Sequence, residues 1–503
     1  MRSKKAIYNI FSTLLFQIAL ITYGFVVPKL VISNYGSDVN GLISSITKFL
    51  SYIVLIESGF APVVKYALYK PIAKNDKNTI LQILKASERF FRKVSYIFIG
   101  YIIILLFAYP LIVNNQFDYL FTASLILIIA ACTFCEYYFG LTYSVYLQAT
   151  QNGYIVSIIQ FLLYTISIIV LIFLAKINCS VHVFKIVSCM FFIFKPIILN
   201  IYVKKKFKIN YKDVDKSFEL KQKWDGLIQH IAYVIHTNTD IALLTIFSTL
   251  KEVSVYAVYS LVVTGLKNAL NAFAGSVDST FGDMYARGEH DNLNKKFAMY
   301  EICYFSIITI VFVSTMLLIT PFVSVYTSGI DDANYIRYTF GYLIVISEFI
   351  WAIRNPYKNI VLAVGHFRET NRGAIIECVS NILVSIILVI NFGIVGVVIG
   401  TIVAMTFRTI DLIYHTNKYI LKRKMMPNVK KILLIAIETL LICFVCKYIP
   451  FVSYTNYFNW AINGCITFIV SSIIVFIINY LFYKNDFKIF FDIIKNFLKR
   501  KKA

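Results

Sequence analysis

Lys and Arg in this chain gather in every second gap between about fourteen long apolar runs, a pattern that fixes a membrane topology. A helix needs about 20 mostly apolar residues to cross a bilayer. Such runs occupy 7–32, 38–69, 90–113, 119–147, 153–175, 181–203, 225–247, 253–278, 297–326, 336–363, 371–391, 393–417, 431–449 and 457–483. A hydrophobic share of 59% and a mean hydropathy of +0.72 exceed what a soluble domain carries, since such domains are about 45 to 50% apolar. Only helices and closed barrels satisfy every backbone group in hydrocarbon, and runs of this length predict helices. The sequence therefore predicts an all-α polytopic membrane protein with about 14 transmembrane helices.

Placing Arg2, Lys4 and Lys5 in the cytoplasm makes the gaps Lys70 to Lys93, Lys204 to Lys223, Arg287 to Lys296, Arg368 to Arg372 and Lys418 to Lys431 cytoplasmic, together with the tail from Lys484. Roughly 36 cations then lie inside, against about four near the opposite gaps, among them Lys176, Lys251 and Arg337. Both termini are predicted to be cytoplasmic. The net charge of +23 reports this orientation and contact with anionic headgroups of membrane lipids, not nucleic acid. The run from Ile7 to Ile32 is too long for the apolar core of a signal peptide and lacks a small-residue cleavage pattern, so it reads as the first span.

Laying residue 39 on residue 253 without a gap brings the second run onto the eighth, and the loop at Lys77-Asn78 onto that at Asp291-Asn292. A second correspondence sets Gln151-Asn152-Gly153, entering the fifth span, near Val364-Gly365-His366, entering the eleventh. These matches predict two parallel six-helix halves around a central cavity, followed by two C-terminal helices. The expected divisions are 1–203 for the N-terminal half, 204–224 for a basic cytoplasmic linker, 225–420 for the C-terminal half, 421–484 for the added pair and 485–503 for a basic amphipathic tail. In that tail Phe487, Ile489, Phe490, Ile493, Ile494 and Phe497 alternate with Lys at helical spacing, which suits a helix lying on the inner leaflet. Halves related by an axis along the membrane normal hold substrate between them near the midplane.

Ionisable residues inside the runs identify the candidate site, because a charge at a helix centre is costly and faces a cavity or a partner. On the eighth span Ser260, Thr264, Lys267, Asn271 and Asp278 recur at three, four and seven, which predicts one polar stripe. On the seventh, His236 and Asp240 are four apart and share a face; they read either as a proton-titratable coupling pair or as a neutral packing pair. The second span carries Lys48, with Glu57 and Lys65 eight apart on an expected common stripe. Lys65 either meets substrate or snorkels to the inner surface. The tenth span has Glu348, then Arg354 and Lys358 one turn apart around Asn355-Pro356. That dication either grips a pyrophosphate or reaches inner headgroups from a Pro-kinked helix end. On the twelfth span Arg408 and Asp411, three apart, are placed to neutralise each other, with ligand binding by Arg408 as the alternative. Two CxxC spacings, Cys132 with Cys135 and Cys443 with Cys446, lie in apolar runs without His or acidic partners at ligand spacing and read as ordinary Cys, so no metal and no cofactor is expected.

Asn391-Phe392-Gly393-Ile394-Val395-Gly396-Val397-Val398-Ile399-Gly400-Thr401 resembles the "fGi.G..iGT" stretch of bacterial polysaccharide flippases. Asn238-Thr239-Asp240-Ile241 with Val253-Ser254-Val255-Tyr256, and Gly365-His366-Phe367-Arg368, resemble the same family at its seventh and eighth spans and its eleventh-helix entry. The resemblance covers essentially the whole chain. It implies the multidrug/oligosaccharidyl-lipid/polysaccharide exporter superfamily and its oligosaccharide repeat-unit branch. It further implies a bacterial cytoplasmic-membrane flippase that moves undecaprenyl-pyrophosphate-linked oligosaccharide from the inner to the outer leaflet. The implied cavity is lined by helices one, two, seven and eight, and the implied partners are the lipid-linked oligosaccharide, a polysaccharide polymerase and glycosyltransferases. On that reading Lys48, Lys65, Lys267, Asn271, Arg354, Lys358 and Arg408 bind substrate, and Glu57, His236, Asp240 and Asp278 couple transport to an ion.

Two other transporters compete, an ion-coupled multidrug exporter on the same fold and a lipid II flippase. An exporter of cationic drugs should be rich in buried acids, whereas these spans hold more Lys and Arg than Asp and Glu. A GxxxxGK[ST] phosphate loop is missing, so the chain carries no ATPase of that type. The predicted outer loops are short, about ten residues at most near Ser328 to Tyr335, which disfavours an enzyme with a sizeable outer catalytic domain.

Overall fold

The computed structural model describes residues 2–57, 59–113, 115–207, 209, 211, 227–274, 278–484 and 487. Among them every regular element is helical. Ten helical stretches among the described residues are long and apolar enough to cross a membrane. The first run is α1 (Arg2–Tyr35). The second is broken into α2 (Ser37–Ser51), α3 (Val54–Glu57) and α4 (Phe60–Lys74). The third is α5 (Lys77–Val113), and the fourth is α6 (Tyr119–Cys135), a π-helical turn over Glu136–Gly140, and α7 (Leu141–Ala149). Then come α8 (Gly153–Lys176), α9 (Val181–Lys206), α10 (Leu227–Phe247) and α11 (Leu250–Ala274). A short α12 (Asp278–Ala286) leads into α13 (His290–Tyr326) and α14 (Tyr338–Ala363). The eleventh and twelfth runs form α15 (Asn371–His415), and the last two are α16 (Met426–Lys447) and α17 (Tyr457–Phe482).

The second run departs from the expected single helix. Gly59 takes φ 75°, a left-handed value that ends helical progression, and Pro62 sits in the first turn of α4, where its missing N–H leaves no bond unmade. Glu57 and Lys65 therefore stand on separate helices, and their expected common stripe does not form. On the eighth run α11 is described as far as Ala274 and, past 275–277, α12 from Asp278. The Asp278 side chain, most of the linker (212–226) and the amphipathic tail apart from Phe487 lie outside the described residues.

The glycine-rich stretch 391–401 has a plain steric origin. Gly393, at φ 52° and ψ −130°, is the single non-helical residue that reverses α15 on itself. The two arms then pack so closely that a Cβ on Gly396 would lie 2.2 Å from the Leu388 carbonyl oxygen, and one on Gly400 2.1 Å from Ser385 Oγ. Asn381 donates to Thr401 across the arms at 3.1 Å.

Several elements recur along the chain. Both α5 and α13 are 37 residues long, and each follows a turn with a left-handed residue, Asn75 at φ 54° and Gly288 at φ 74°. The entries to α8 and α15 carry Gln151 at φ 59° and Gly365 at φ 84°. Asp76 starts α5 by accepting from the Thr79 N–H and hydroxyl at 3.1 and 2.6 Å, contacts that hold this exposed carboxyl below its ordinary range.

The chain divides into two compact units, Met1–Ala257 and Val258–Ala503, so α10 and the start of α11 belong with the first. Within that unit α1 packs on α8, α6 on α9, and α2 on α10. In the second, α13 is central and touches α12, α14, α16 and α17. Val313, Ile442, Cys446 and Val475 form a core there between α13, α16 and α17.

Candidate functional site

In the first unit the predicted residues of the second and seventh spans are brought onto adjoining helices. Small polar residues make this closeness possible. Ser45 and Thr245 hydroxyls meet at 2.6 Å, and Asn40 Nδ2 donates to Ser254 Oγ at 2.7 Å. Gly41 lies so near the α10–α11 turn that a Cβ would fall 1.8 Å from the Leu250 carbonyl oxygen. Lys48 reaches across from α2 to the carbonyl of Thr237 on α10 at 3.4 Å. His236 and Asp240 are both buried, and the Tyr256 hydroxyl donates to Asp240 Oδ2 at 2.7 Å. The phenol satisfies one oxygen of this buried carboxylate.

Glu57 lies elsewhere in this unit. The Tyr137 hydroxyl, in the π-helical turn, donates to its Oε2 at 2.9 Å. Next to Tyr137, Glu136 forms an ion pair with Lys195 of α9 at 2.8 Å. Lys65 is half-buried on α4. Lys48 and Lys65 are thus separated by two interruptions of the helix, and no single stripe joins them.

In the second unit four cations converge with three carboxylates. Lys267 of α11 pairs with Glu348 of α14 at 2.9 Å, and its ammonium lies 4.7 Å from the centroid of the Trp351 ring. Arg354 Nη1 donates to Glu377 Oε1 of α15 at 2.6 Å. Arg408, on the returning arm of α15, approaches the other oxygen of Glu377 at 3.5 Å, pairs with Asp411 at 2.6 Å and donates to the Thr370 carbonyl at 3.0 Å. Lys358 stands in the field of Arg354, Glu377, Lys267 and Arg408. Asn271, one turn beyond Lys267 on α11, is exposed. The cluster therefore joins Lys267, Arg354, Lys358 and Arg408, and among the described residues it sets these four cations beside the three acids Glu348, Glu377 and Asp411. These internal pairs keep each guanidinium oriented.

The chain shares its fold with solved transporters at 12 to 14% identity. The chain superposes on a lipid II flippase, MurJ, in an inward closed conformation with a TM-score of 0.67 at 14% identity, over 96% of this chain and 99% of that one. It superposes on an inward-facing multidrug resistance MATE transporter with a TM-score of 0.64 at 13% identity, over 81% and 96%. A MOP-superfamily transporter from Pyrococcus furiosus, described as having a binding pocket of reverse polarity, gives 0.58 at 12% identity, over 84% and 97%. No protein-family model and no curated protein matches the sequence.

Sequence reasoning missed Glu377, Glu136 and Lys195. Each is a lone ionisable residue in an apolar run, which is a usable signal in itself. Its partner is distant in sequence, 23 residues away for Glu377 with Arg354 and 59 for Glu136 with Lys195. A further cluster, also missed, buries Glu301 of α13 completely against Arg423 and Lys431, each at 2.8 Å.

Proposed function

We propose that the chain is a flippase for an undecaprenyl-pyrophosphate-linked oligosaccharide, carrying it from the inner to the outer leaflet for capsule, exopolysaccharide or O-antigen-like polysaccharide. The observation that supports this reading is the gathering of Lys267, Arg354, Lys358 and Arg408 in the cluster of α11, α14 and α15, four cations beside three acids among the described residues. A pyrophosphate matches it: two adjacent anionic groups meet fork-shaped guanidinium donors and two ammonium point charges. A cationic drug would be repelled by the same cluster, so the multidrug reading is the weaker one. Lipid II shares the pyrophosphate-linked chemistry, and the two flippase readings separate on the sugar.

On this reading Lys267, Asn271, Arg354, Lys358 and Arg408 receive the diphosphate, and Lys48 and Lys65 line its path. Glu57, His236, Asp240 and Asp278 supply ion coupling, and movement is by alternating access of two six-helix halves, 1–203 and 225–420, with 421–484 added. The protein sits in the bacterial cytoplasmic membrane with both termini inside, beside a polymerase and glycosyltransferases. Single Cys at Ser328 in a Cys-free background should react with an impermeant thiol reagent in intact cells, and Cys at Asn292 should not.

The deciding experiment is deletion and complementation in the native host. Loss of the gene should abolish a surface polysaccharide while inner-leaflet lipid-linked repeat units accumulate, and Lys358→Glu should fail to restore export. Normal polysaccharide together with arrested peptidoglycan synthesis would instead assign lipid II.

A further inference from the structure

We propose that the basic end of α9 binds a single anionic phospholipid, its phosphate held by Lys205, Lys206 and Tyr202 and one acyl chain laid along Ile201, Ile198 and Phe194. The two faces of α9 differ. Phe184, Ser188, Pro196, Leu199 and Val203 are buried, on the side that packs against α6 and α8. Phe194, Ile197, Ile198 and Ile201 lie outward, 37 to 61% exposed, and recur at three and four residues. On a membrane-spanning helix such an uncovered apolar stripe meets acyl chains.

Lys205 stands four residues beyond Ile201, and Lys206 four beyond Tyr202, so the stripe ends under two ammonium groups. A cavity of about 430 Å³ opens there, lined by Ile198, Ile201, Tyr202, Lys205 and Lys206. Lys206 donates to the Tyr202 hydroxyl, with its ammonium 5.0 Å from the ring centroid, which fixes one cation at the rim. Having accepted that bond, Tyr202 keeps its own O–H to donate. Among the described residues no carboxylate pairs with Lys205 or Lys206. Lys204 turns elsewhere, towards the ring of Tyr143 on α7 at 5.8 Å.

Length and chemistry select the occupant. From Phe194 to Lys205 the helix rises about 16 Å, close to one leaflet's share of the hydrocarbon core, about 15 Å. Tyr202 then stands at the depth of the acyl esters, where amphipathic rings concentrate. A free phosphate ion would find the same cations but gain nothing from the apolar wall. Phosphatidylethanolamine would bring a third ammonium to the two lysines, whereas phosphatidylglycerol brings one net negative charge. The site belongs to the first unit, and nothing in it depends on which molecule the protein carries.

Native mass spectrometry of the purified, delipidated full chain tests this. Phosphatidylglycerol should fill one site about tenfold more tightly than phosphatidylethanolamine, because two lysines act on its net charge. Lys205→Ser combined with Lys206→Ser should bring the two lipids level. Lys70→Ser combined with Lys74→Ser, at the exposed end of α4, should leave the preference intact. Glycerol phosphate should not bind, and farnesyl diphosphate should not displace the phospholipid at equal concentration. Equal affinity for the two lipids in the wild type, an unchanged preference in the Lys205/Lys206 variant or an equal loss in the α4 control overturns the proposal. Binding of glycerol phosphate would make the groove a simple ion site, and displacement by farnesyl diphosphate would give it to a prenyl carrier; either result also overturns it. Should the double variant prove polydisperse, Lys205→Ser alone is read, and a preference identical to wild type is equally adverse.

Discussion

Lys267 of α11 and Glu348 of α14 form an ion pair at 2.9 Å with side chains only 14% and 16% exposed. Each therefore supports the other in the fold. Removing one partner of a buried pair strands the other charge and costs about 3 kcal/mol or more. Lys267→Ala and Glu348→Ala should each lower the amount of folded protein in the membrane. The double variant should return it towards wild type while export stays low, because the cation has gone but no charge is stranded. Fluorescence-detected size exclusion beside a surface-polysaccharide assay separates the two effects; restored export in the double variant would make the pair purely structural.

Glu377 bridges two guanidinium groups, Arg354 at 2.6 Å and Arg408 at 3.5 Å, whereas Asp411 meets Arg408 alone and is 31% exposed. Glu377→Gln leaves two buried cations without their shared carboxylate and should lower the thermal midpoint in detergent strongly. Asp411→Asn leaves Arg408 with Glu377 and should lower it far less. Equal midpoints for the two variants would mean that the bridge is not a stability element.

How far the sequence foretold this arrangement depends on range. The apolar runs, the reversal at Gly393 and the adjacency of Lys267 and Asn271 are local, set by helix period and by glycine sterics, and they were legible. The interruptions of the second span were not, because Ser, Gly and apolar residues read alike in a continuous helix and a broken one; Gly59 followed by Pro62 was the only hint. The ion pairs were the least accessible. Lys267 and Glu348 are 81 residues apart, and no period within one helix can reveal which acid a distant lysine meets. As a result Arg354 looked unpaired on its own helix although Glu377 awaits it on the next.

Glu301 forms the most enclosed polar cluster in the second unit. Its carboxylate receives Arg423 and Lys431 at 2.8 Å each and Asn428 at 2.7 Å, and Asn428 also donates to the Tyr357 hydroxyl at 2.8 Å. These contacts fasten the start of α16 to α13 and α14. Glu301→Ala leaves two cations facing each other without their shared carboxylate, at a cost of about 3 to 5 kcal/mol. Limited proteolysis near 421–425 should cut this variant faster than the wild type, and Glu301→Gln should be cut at an intermediate rate. Identical cleavage of all three would show that apolar packing alone holds α16.

Val39 and Val253 are 7% and 0% exposed and flank the contact in which Asn40 donates to Ser254 at 2.7 Å. The second and eighth spans are therefore closed against each other at this end. Were export to proceed at this end, the two would have to part, and the contacts to be broken include Asn40 with Ser254, Asp38 with Lys251 at 3.7 Å, and the close approach of Gly41 to Leu250. Cys at both positions in a Cys-free background, oxidised to a disulfide, should block export, and a reductant should restore it within the same cells. Each single Cys should export normally under the same oxidant. Undiminished export at high crosslinking yield would mean that α2 and the first turn of α11 travel as one body through the cycle.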